Sequence, residues 1–422
     1  MHSVTNAIPT GTIASIPAKA HAHRALICAA LANSPSTILL SRTSKDIDAT
    51  MDSLRGLGAH VVYENKIVTI TPGSAPAKGN VVPHESGTTL RLLLPVASSI
   101  CNDVDVDAKG RLPDRPLEPM LGEMKAHGVT FSQDKPPFTM TGRLQGGNFS
   151  MVGDVSSQFF SGLLLAVPQI GLSTITSTTP LQSSDYVTLT TETMRDFGVE
   201  VEHTLPDTKI NEAFTVPFGA SFIGRDNYQI EGDWSNAAIW MVAAGMTGKP
   251  ITITGMNKNS VQADRRIMQV MIDAGCDVVW DGMNVTVTGR ASKPIHADLE
   301  QMPDMLPVMA ALACSISGES SFVKGARLRL KESDRLVAVA NLVKDLGGTV
   351  REEGDDLYII GSGILKGGHG DCVNDHRLVM AGTLMALISE NPVTLQDSEA
   401  ITKSYPDFFE DWNLLGGNAQ PV

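Results

Sequence analysis

Six times along the chain a short apolar helix pattern ends at a glycine, and in all but the last copy a valine-rich strand, a turn and a second strand follow. "LRGLGAHVVYENKIVTITPG" is an early copy, and "MQVMIDAGCDVVWDGMNVTVTG" and "LVKDLGGTVREEGDDLYIIGSG" are later ones. "FFEDWNLLGG" ends the series without strands of its own. The marker glycines, Gly58, Gly128, Gly198, Gly275, Gly347 and Gly416, recur every 69 to 77 residues. Such a period means that one supersecondary module is repeated, each copy burying its apolar face against its neighbours. Glycine suits the junction because helices commonly end on a residue at positive φ, where a Cβ is penalised.

The incomplete sixth copy lacks strands, and the opening "SVTNAIPTGTIAS" is strand-like, so both chain ends are expected in one domain. With three repeats per domain, the chain divides into a discontinuous domain, 1–17 plus 232–422, and an inserted domain, 18–231. The crossings fall near Pro17 and "NYQIEGD" (residues 227–233). The fold class is α/β, and a cleft between two such halves is the expected ligand site.

Composition narrows the ligand. The net charge of −13 argues against a nucleic-acid partner. Apolar runs such as "LICAALA" are too short to span a bilayer, and the N-terminus shows no secretory pattern, so a cytoplasmic protein is expected. The five cysteines are far apart, odd in number and without a CxxC, which argues against a disulfide framework or a zinc site.

Against this acidic background, cations gather in short motifs. The first half has "PAKAHAHRAL" with Lys19 and Arg24, "ESGTTLR" with Arg91, and "GRLPDRP" with Arg115. The second half has "RLRLKESDR", "NDHR" and "TKSYPDFF". "GDVSSQFFSG" adds hydroxyls and an amide at the head of an apolar helix. Singly, each motif reads equally well as capping or surface ion pairing. Placed before the repeat helices, they bring several cations to helix N-termini, whose free N–H groups and positive dipole end suit phosphate and carboxylate. No GxxxxGK[ST] loop is present, so the anion is not a nucleotide held in that way.

In order and over nearly the whole chain, "SGTTLR", "RP", "SSQ", "KESDR", "NDHR" and "TKSYPDFF" resemble the EPSP synthase (3-phosphoshikimate 1-carboxyvinyltransferase) family. The resemblance implies a two-domain inside-out α/β barrel of six helix–strand repeats. It also implies transfer of the enolpyruvyl group of phosphoenolpyruvate to the 5-hydroxyl of shikimate-3-phosphate, with release of phosphate. No cofactor and no metal are implied, the partners are the two small substrates, and a monomer is expected. Lys19, Gly87, Arg115, Arg335, Arg377 and Lys403 correspond to the phosphoenolpyruvate site. Lys19, Arg24, Ser156, Ser157, Gln158, Ser183, Tyr186, Asp304 and Lys331 correspond to shikimate-3-phosphate contacts. Asp304 resembles the carboxylate that takes the hydroxyl proton, Glu332 the group that serves the methylene carbon, and His376 a neighbour of the reacting centre. Gly87 marks the room that glyphosate occupies in this family, so sensitivity is expected.

The match departs at a few places. The family's Gly-Ser-Lys-Ser reads Pro17-Ala18-Lys19-Ala20, with His21 and His23 beside it. Glu85 and Arg327 each replace an asparagine, and Asp185 replaces a proline. Two rivals were weighed. The paralogue acting on UDP-N-acetylglucosamine carries a cysteine in the loop before its Arg-Pro, whereas "DAKGRLPDRP" has none. A non-catalytic anion binder would gain nothing from keeping Asp304 and Glu332.

Overall fold

Twenty-four strands form six four-stranded sheets of one topology. The computed structural model describes all residues, Met1 to Val422. The helices, in chain order, are α1 (Lys19–Ala30), α2 (Lys45–Gly56), α3 (Gly87–Ile100), α4 (Met120–Ala126), α5 (Ser157–Ala166) and α6 (Asp185–Asp196). They continue with α7 (Trp234–Thr247), α8 (Ile267–Asp273), α9 (Leu306–Ser315), α10 (Arg335–Asp345), α11 (His376–Met385) and α12 (Phe408–Leu414). Contacts divide the chain into two units, Met1–Ile16 with Glu231–Val422, and Pro17–Ile230.

One sheet describes all six. Gly79–Val81 leads through α3 to a parallel partner, Asp103–Val106, which pairs antiparallel with Phe138–Thr141, which in turn pairs with Thr130–Phe131. A parallel pair requires a crossover, and in four of the six sheets an odd-numbered helix supplies it. The even-numbered helix then ends near the marker glycine, and the antiparallel hairpin follows. At the six marker glycines φ lies between 87° and 104°. At Gly58 a Cβ would also come 2.3 Å from the Ser74 carbonyl oxygen, so the position tolerates no side chain.

The odd and even helices differ because they are buried differently. Every residue of α9 and of α11 is buried, the all-round apolar character of a helix enclosed on every side. In one unit α3 packs on α5, and in the other α9 packs on α7 and α11. By contrast, α2 buries Ile47, Met51 and Leu54 but carries acids in its first turn and Arg55 in its last, the charge order that its dipole favours. Strands alternate in the same sense: Val68 and Ile70 face inward, while Thr69 and Thr71 face out.

Three sheets are completed by distant chain. His2–Val4 lies between Val393–Gln396 and Ala419–Pro421, so the opening strand completes the sixth sheet. The edge strands of the two units' first repeats are also exchanged. Gly11–Ala14 directly precedes α1 yet pairs with Ile251–Thr254, and Tyr228–Gln229 precedes α7 yet pairs with Ser36–Leu39. No helix is long and apolar enough to cross a membrane.

Candidate active site

The polar motifs sit at the heads of the buried helices. Ser86 caps α3 through Thr89 N–H at 3.2 Å, and Ser156 caps α5 through Gln158 N–H at 3.3 Å. Asp233 caps α7 at 2.8 Å and Asp375 caps α11 at 2.9 Å. Capping fixes each turn, which in turn fixes the neighbouring side chains.

In the unit 17–230, Lys19 opens α1 and its ammonium donates to Asp46 at 2.9 Å. Arg24 is buried, donating to Thr190 Oγ1 at 2.7 Å, to the Ala20 carbonyl at 2.7 Å, to Ser161 Oγ at 3.2 Å and to the Tyr186 carbonyl at 3.0 Å. Burial pulls its guanidinium down to about 10, against the opposing influence of Tyr186 and Cys28. Arg91 donates to Gln158 Oε1 at 3.1 Å and to the Pro116 carbonyl at 3.2 Å, while Gln158 Nε2 donates to Thr88 Oγ1 at 2.9 Å. These bonds join the heads of α3 and α5 to the segment after Arg115. A Cβ on Gly87 would lie 2.6 Å from Arg115 Nη1, so the glycine admits that guanidinium. Ser157 is buried beside Ser156 at the head of α5. Ser183, just before α6, is held at φ 53°, an uncommon conformation for a residue with a side chain.

His21 and His23 are not surface residues. His21 Nε2 is 2.8 Å from the Tyr228 hydroxyl, which donates to Asp196, and His23 Nδ1 is 2.7 Å from Thr50 Oγ1. Burial drives both imidazoles below their ordinary range, His21 to about 4 against the pull of Asp196. Both are therefore neutral at pH 7 and add no cation beside Lys19.

In the other unit, Arg335 at the start of α10 is the hub. Its Nη1 donates to Asp304 at 2.6 Å, its Nη2 to Glu332 at 2.6 Å, and its Nε to Asp375 at 2.8 Å. Lys331 Nζ lies 3.0 Å from the same Asp304 oxygen. Burial works to raise the Asp304 pKa, but Lys331, Arg335 and Arg377 outweigh it and hold the carboxyl well below the usual range. Burial lowers Lys331, opposed by Asp304 and reinforced by the positive charges of Arg335 and Arg327. Burial also works against the charge on Arg335, yet Asp375, Glu332 and Asp304 together push its pKa far up.

Arg377 follows His376 at the head of α11 and donates to the Ser235 carbonyl at 3.1 Å. His376 is buried, with Nδ1 3.9 Å from Asp375. Lys403 donates to the Asn374 carbonyl at 2.8 Å. That carbonyl is presented by two consecutive residues at positive φ, Val373 at 42° and Asn374 at 55°. A β-branched residue there is strained, and such strain tends to collect at functional sites.

Asp304, Lys331, Glu332 and Arg335 thus form one network, to which Arg377 is linked through Asp375. Lys19 stands instead on Asp46, and Arg24 on neutral acceptors. Sequence reasoning missed Asp46 and Asp375 as partners of these cations. The N-cap position of Asp375, immediately before His376 and Arg377, was the available signal. Arg329 proves structural, tying Asp334, Asp355 and the Gly354 carbonyl together. No group of three or more His, Cys, Asp or Glu is placed to hold a metal ion.

The six repeated sheets, with cations gathered at the helix heads of each unit, define a repeat α/β protein. The EPSP synthase (3-phosphoshikimate 1-carboxyvinyltransferase) family model matches residues 7–412, and the chain belongs to that family. A 3-phosphoshikimate 1-carboxyvinyltransferase of Clostridium kluyveri is 36% identical over 412 residues, covering 96% of this chain and 95% of its own. One from Methanocorpusculum labreanum is 34% identical, covering 97% of each chain. The solved EPSP synthase of Acinetobacter baumannii superposes with a TM-score of 0.81 at 24% identity, over 100% of this chain and 99% of its own. At that identity the superposition speaks for the fold.

Proposed function

We propose that the chain transfers the enolpyruvyl group of phosphoenolpyruvate to the 5-hydroxyl of shikimate-3-phosphate, releasing phosphate. The observation that carries this reading is Arg335, which holds Asp304 and Glu332 on its two terminal nitrogens. Two carboxylates beside cations suit a reaction that moves one proton off an oxygen and another on and off a carbon.

In the addition step the hydroxyl oxygen bonds to C2 of phosphoenolpyruvate, Asp304 takes the hydroxyl proton, and C3 gains a proton from Glu332. In the elimination step the C2–O bond to phosphate breaks, the departing phosphate takes the proton held by Asp304, and the C3 proton returns to Glu332, which is thereby protonated again for the next addition. Asp304 is a weak base while three cations face it. Those same cations are the groups assigned to substrate carboxylate and phosphate, so bound anions compensate them and Asp304 rises towards a useful basicity. Lys19, Arg115, Arg335, Arg377 and Lys403 take the charges of phosphoenolpyruvate. Ser156, Ser157, Gln158 and Lys331 take those of shikimate-3-phosphate, with Arg24 holding the segment that carries Ser183 and Tyr186. His376 stands beside the reacting centre.

The proposal treats the chain as a cytoplasmic monomer whose only partners are these two substrates, and size-exclusion chromatography checks the oligomeric state. The first test is phosphate release with phosphoenolpyruvate, with and without shikimate-3-phosphate. Release that needs both substrates is expected. Its absence from folded protein would point to a different acceptor, with Ala20, Glu85 and Arg327 as the first residues to suspect.

A further inference from the structure

Behind Arg377 lies a carboxyl that the reaction above does not use. Asp264 sits on the 3-10 turn Ala263–Arg266 and is 1% exposed. Its Oδ2 accepts a hydrogen bond from the Ser235 hydroxyl, while its buried Oδ1 has no hydrogen-bond partner. Ser235, in the first turn of α7, also offers its carbonyl to Arg377 Nη1. The same residue therefore joins the Asp264 carboxylate on one side to the Arg377 guanidinium on the other. A buried carboxylate with one oxygen unsatisfied is costly to keep, and its retention calls for a reason other than stability.

We propose that Asp264 is a positioning residue for Arg377, acting through Ser235, and that it exchanges a proton as the charge on the anion site changes. This rests on the reading of Arg377 as a phosphoenolpyruvate ligand. The charged groups that bear on Asp264 are Asp304 from the turn before α9, Arg377 from α11 and Asp233 from the cap of α7. Burial raises its pKa to about 6, helped by Asp304 and Asp233 and opposed by Arg377 and the Ser235 hydrogen bond. When an anion engages Arg377, the opposing charge is compensated and Asp264 takes up a proton. The guanidinium then loses its nearby carboxylate competitor and turns to the ligand.

A carboxyl whose folded pKa is raised above its unfolded value of about 4 binds its proton more tightly in the native state. Its contribution favours folding at low pH and is lost as pH rises through about 6. The test uses Asp264→Asn and Ser235→Ala in the full chain. In thermal unfolding between pH 5 and 8, Asp264→Asn should gain Tm relative to wild type as pH rises. In steady-state kinetics it should lower KM for phosphoenolpyruvate at pH 7–8, on the order of tenfold, because the neutral amide stands in for the protonated carboxyl that leaves Arg377 to the ligand, and leave KM for shikimate-3-phosphate unchanged. Ser235→Ala should reproduce part of the KM effect and move the Tm crossover to higher pH, because the hydroxyl that lowers the Asp264 pKa is gone. A Tm difference that is the same at every pH, or an unchanged KM for phosphoenolpyruvate in an active Asp264→Asn protein, would overturn the proposal. The thermal comparison needs no substrate, so it judges Asp264 even if wild-type protein fails to turn over and the assigned reaction falls.

Discussion

Arg24 and Arg335 are each about 1% exposed, yet the protein satisfies them in opposite ways. Arg24 donates only to hydroxyls and backbone carbonyls. Its charge is left without a counter-ion, and burial lowers its pKa to about 10. Arg335 donates to three carboxylates, which raise its pKa despite burial. One unit therefore carries a buried positive charge balanced only by neutral acceptors. The other sets three carboxylates against one cation. The two buried guanidiniums thus sit in differently balanced surroundings.

Several substitutions can break or sharpen this contrast. The largest effect is expected from Arg335→Ala, which leaves three carboxylates facing one another. Removing one partner from a buried network costs about 3–5 kcal/mol, so denaturant unfolding should show a loss of that size and turnover should vanish. Preserved stability would mean that the carboxylates are far better solvated than their burial implies. Next comes Glu332→Gln, which keeps the shape and removes the proton carrier. Turnover should fall by about 10²–10⁴-fold while calorimetry finds both substrates still bound, and normal turnover would remove Glu332 from the mechanism.

On the side of Arg24 the effects should be smaller and lie in binding. Lys19→Ala is expected to lose roughly several hundredfold in kcat/KM for phosphoenolpyruvate, the worth of one charge in a buried cluster. A loss below about tenfold would class Lys19 with solvated surface pairs. Gly87→Ala should have the smallest effect, about tenfold in KM for phosphoenolpyruvate. The added methyl pushes into the flexible end of Arg115, which can shift. Inhibition assays should show glyphosate weakened in the same variant, and equal inhibition would mean that the methyl is absorbed without narrowing the site.

The repeat was legible because it is local. A marker glycine, an apolar face and a strand pair all fall within one copy, and the six positive-φ glycines stand where the spacing put them. The heads of the buried helices were legible for the same reason, since a cap and its motif are neighbours in sequence. The partners were not. Asp46 lies 27 residues from Lys19, and Asp375 lies 40 from Arg335. Nothing in "SKDID" or "CVNDHR" says which cation will arrive from another repeat. The exchange of Gly11–Ala14 and Tyr228–Gln229 was equally hidden, because such short strands carry no address beyond their neighbours' free edges. His21 and His23 were ambiguous at a helix head until packing turned them inward.

The exchanged and completing strands also set a timetable. A chain emerging residue by residue has Tyr228–Gln229 in hand as soon as the segment 17–230 is out, and that unit then lacks none of its strands. His2–Val4 and Gly11–Ala14 emerge first and wait longest. Gly11–Ala14 finds its partner only when residues 251–254 appear, and His2–Val4 only when 393–421 do. From the emergence of residue 230 until that of residue 393 the nascent protein carries an unpaired His2–Val4 beside a complete inserted unit. That end is therefore where a ribosome-bound chaperone would have the most to shield.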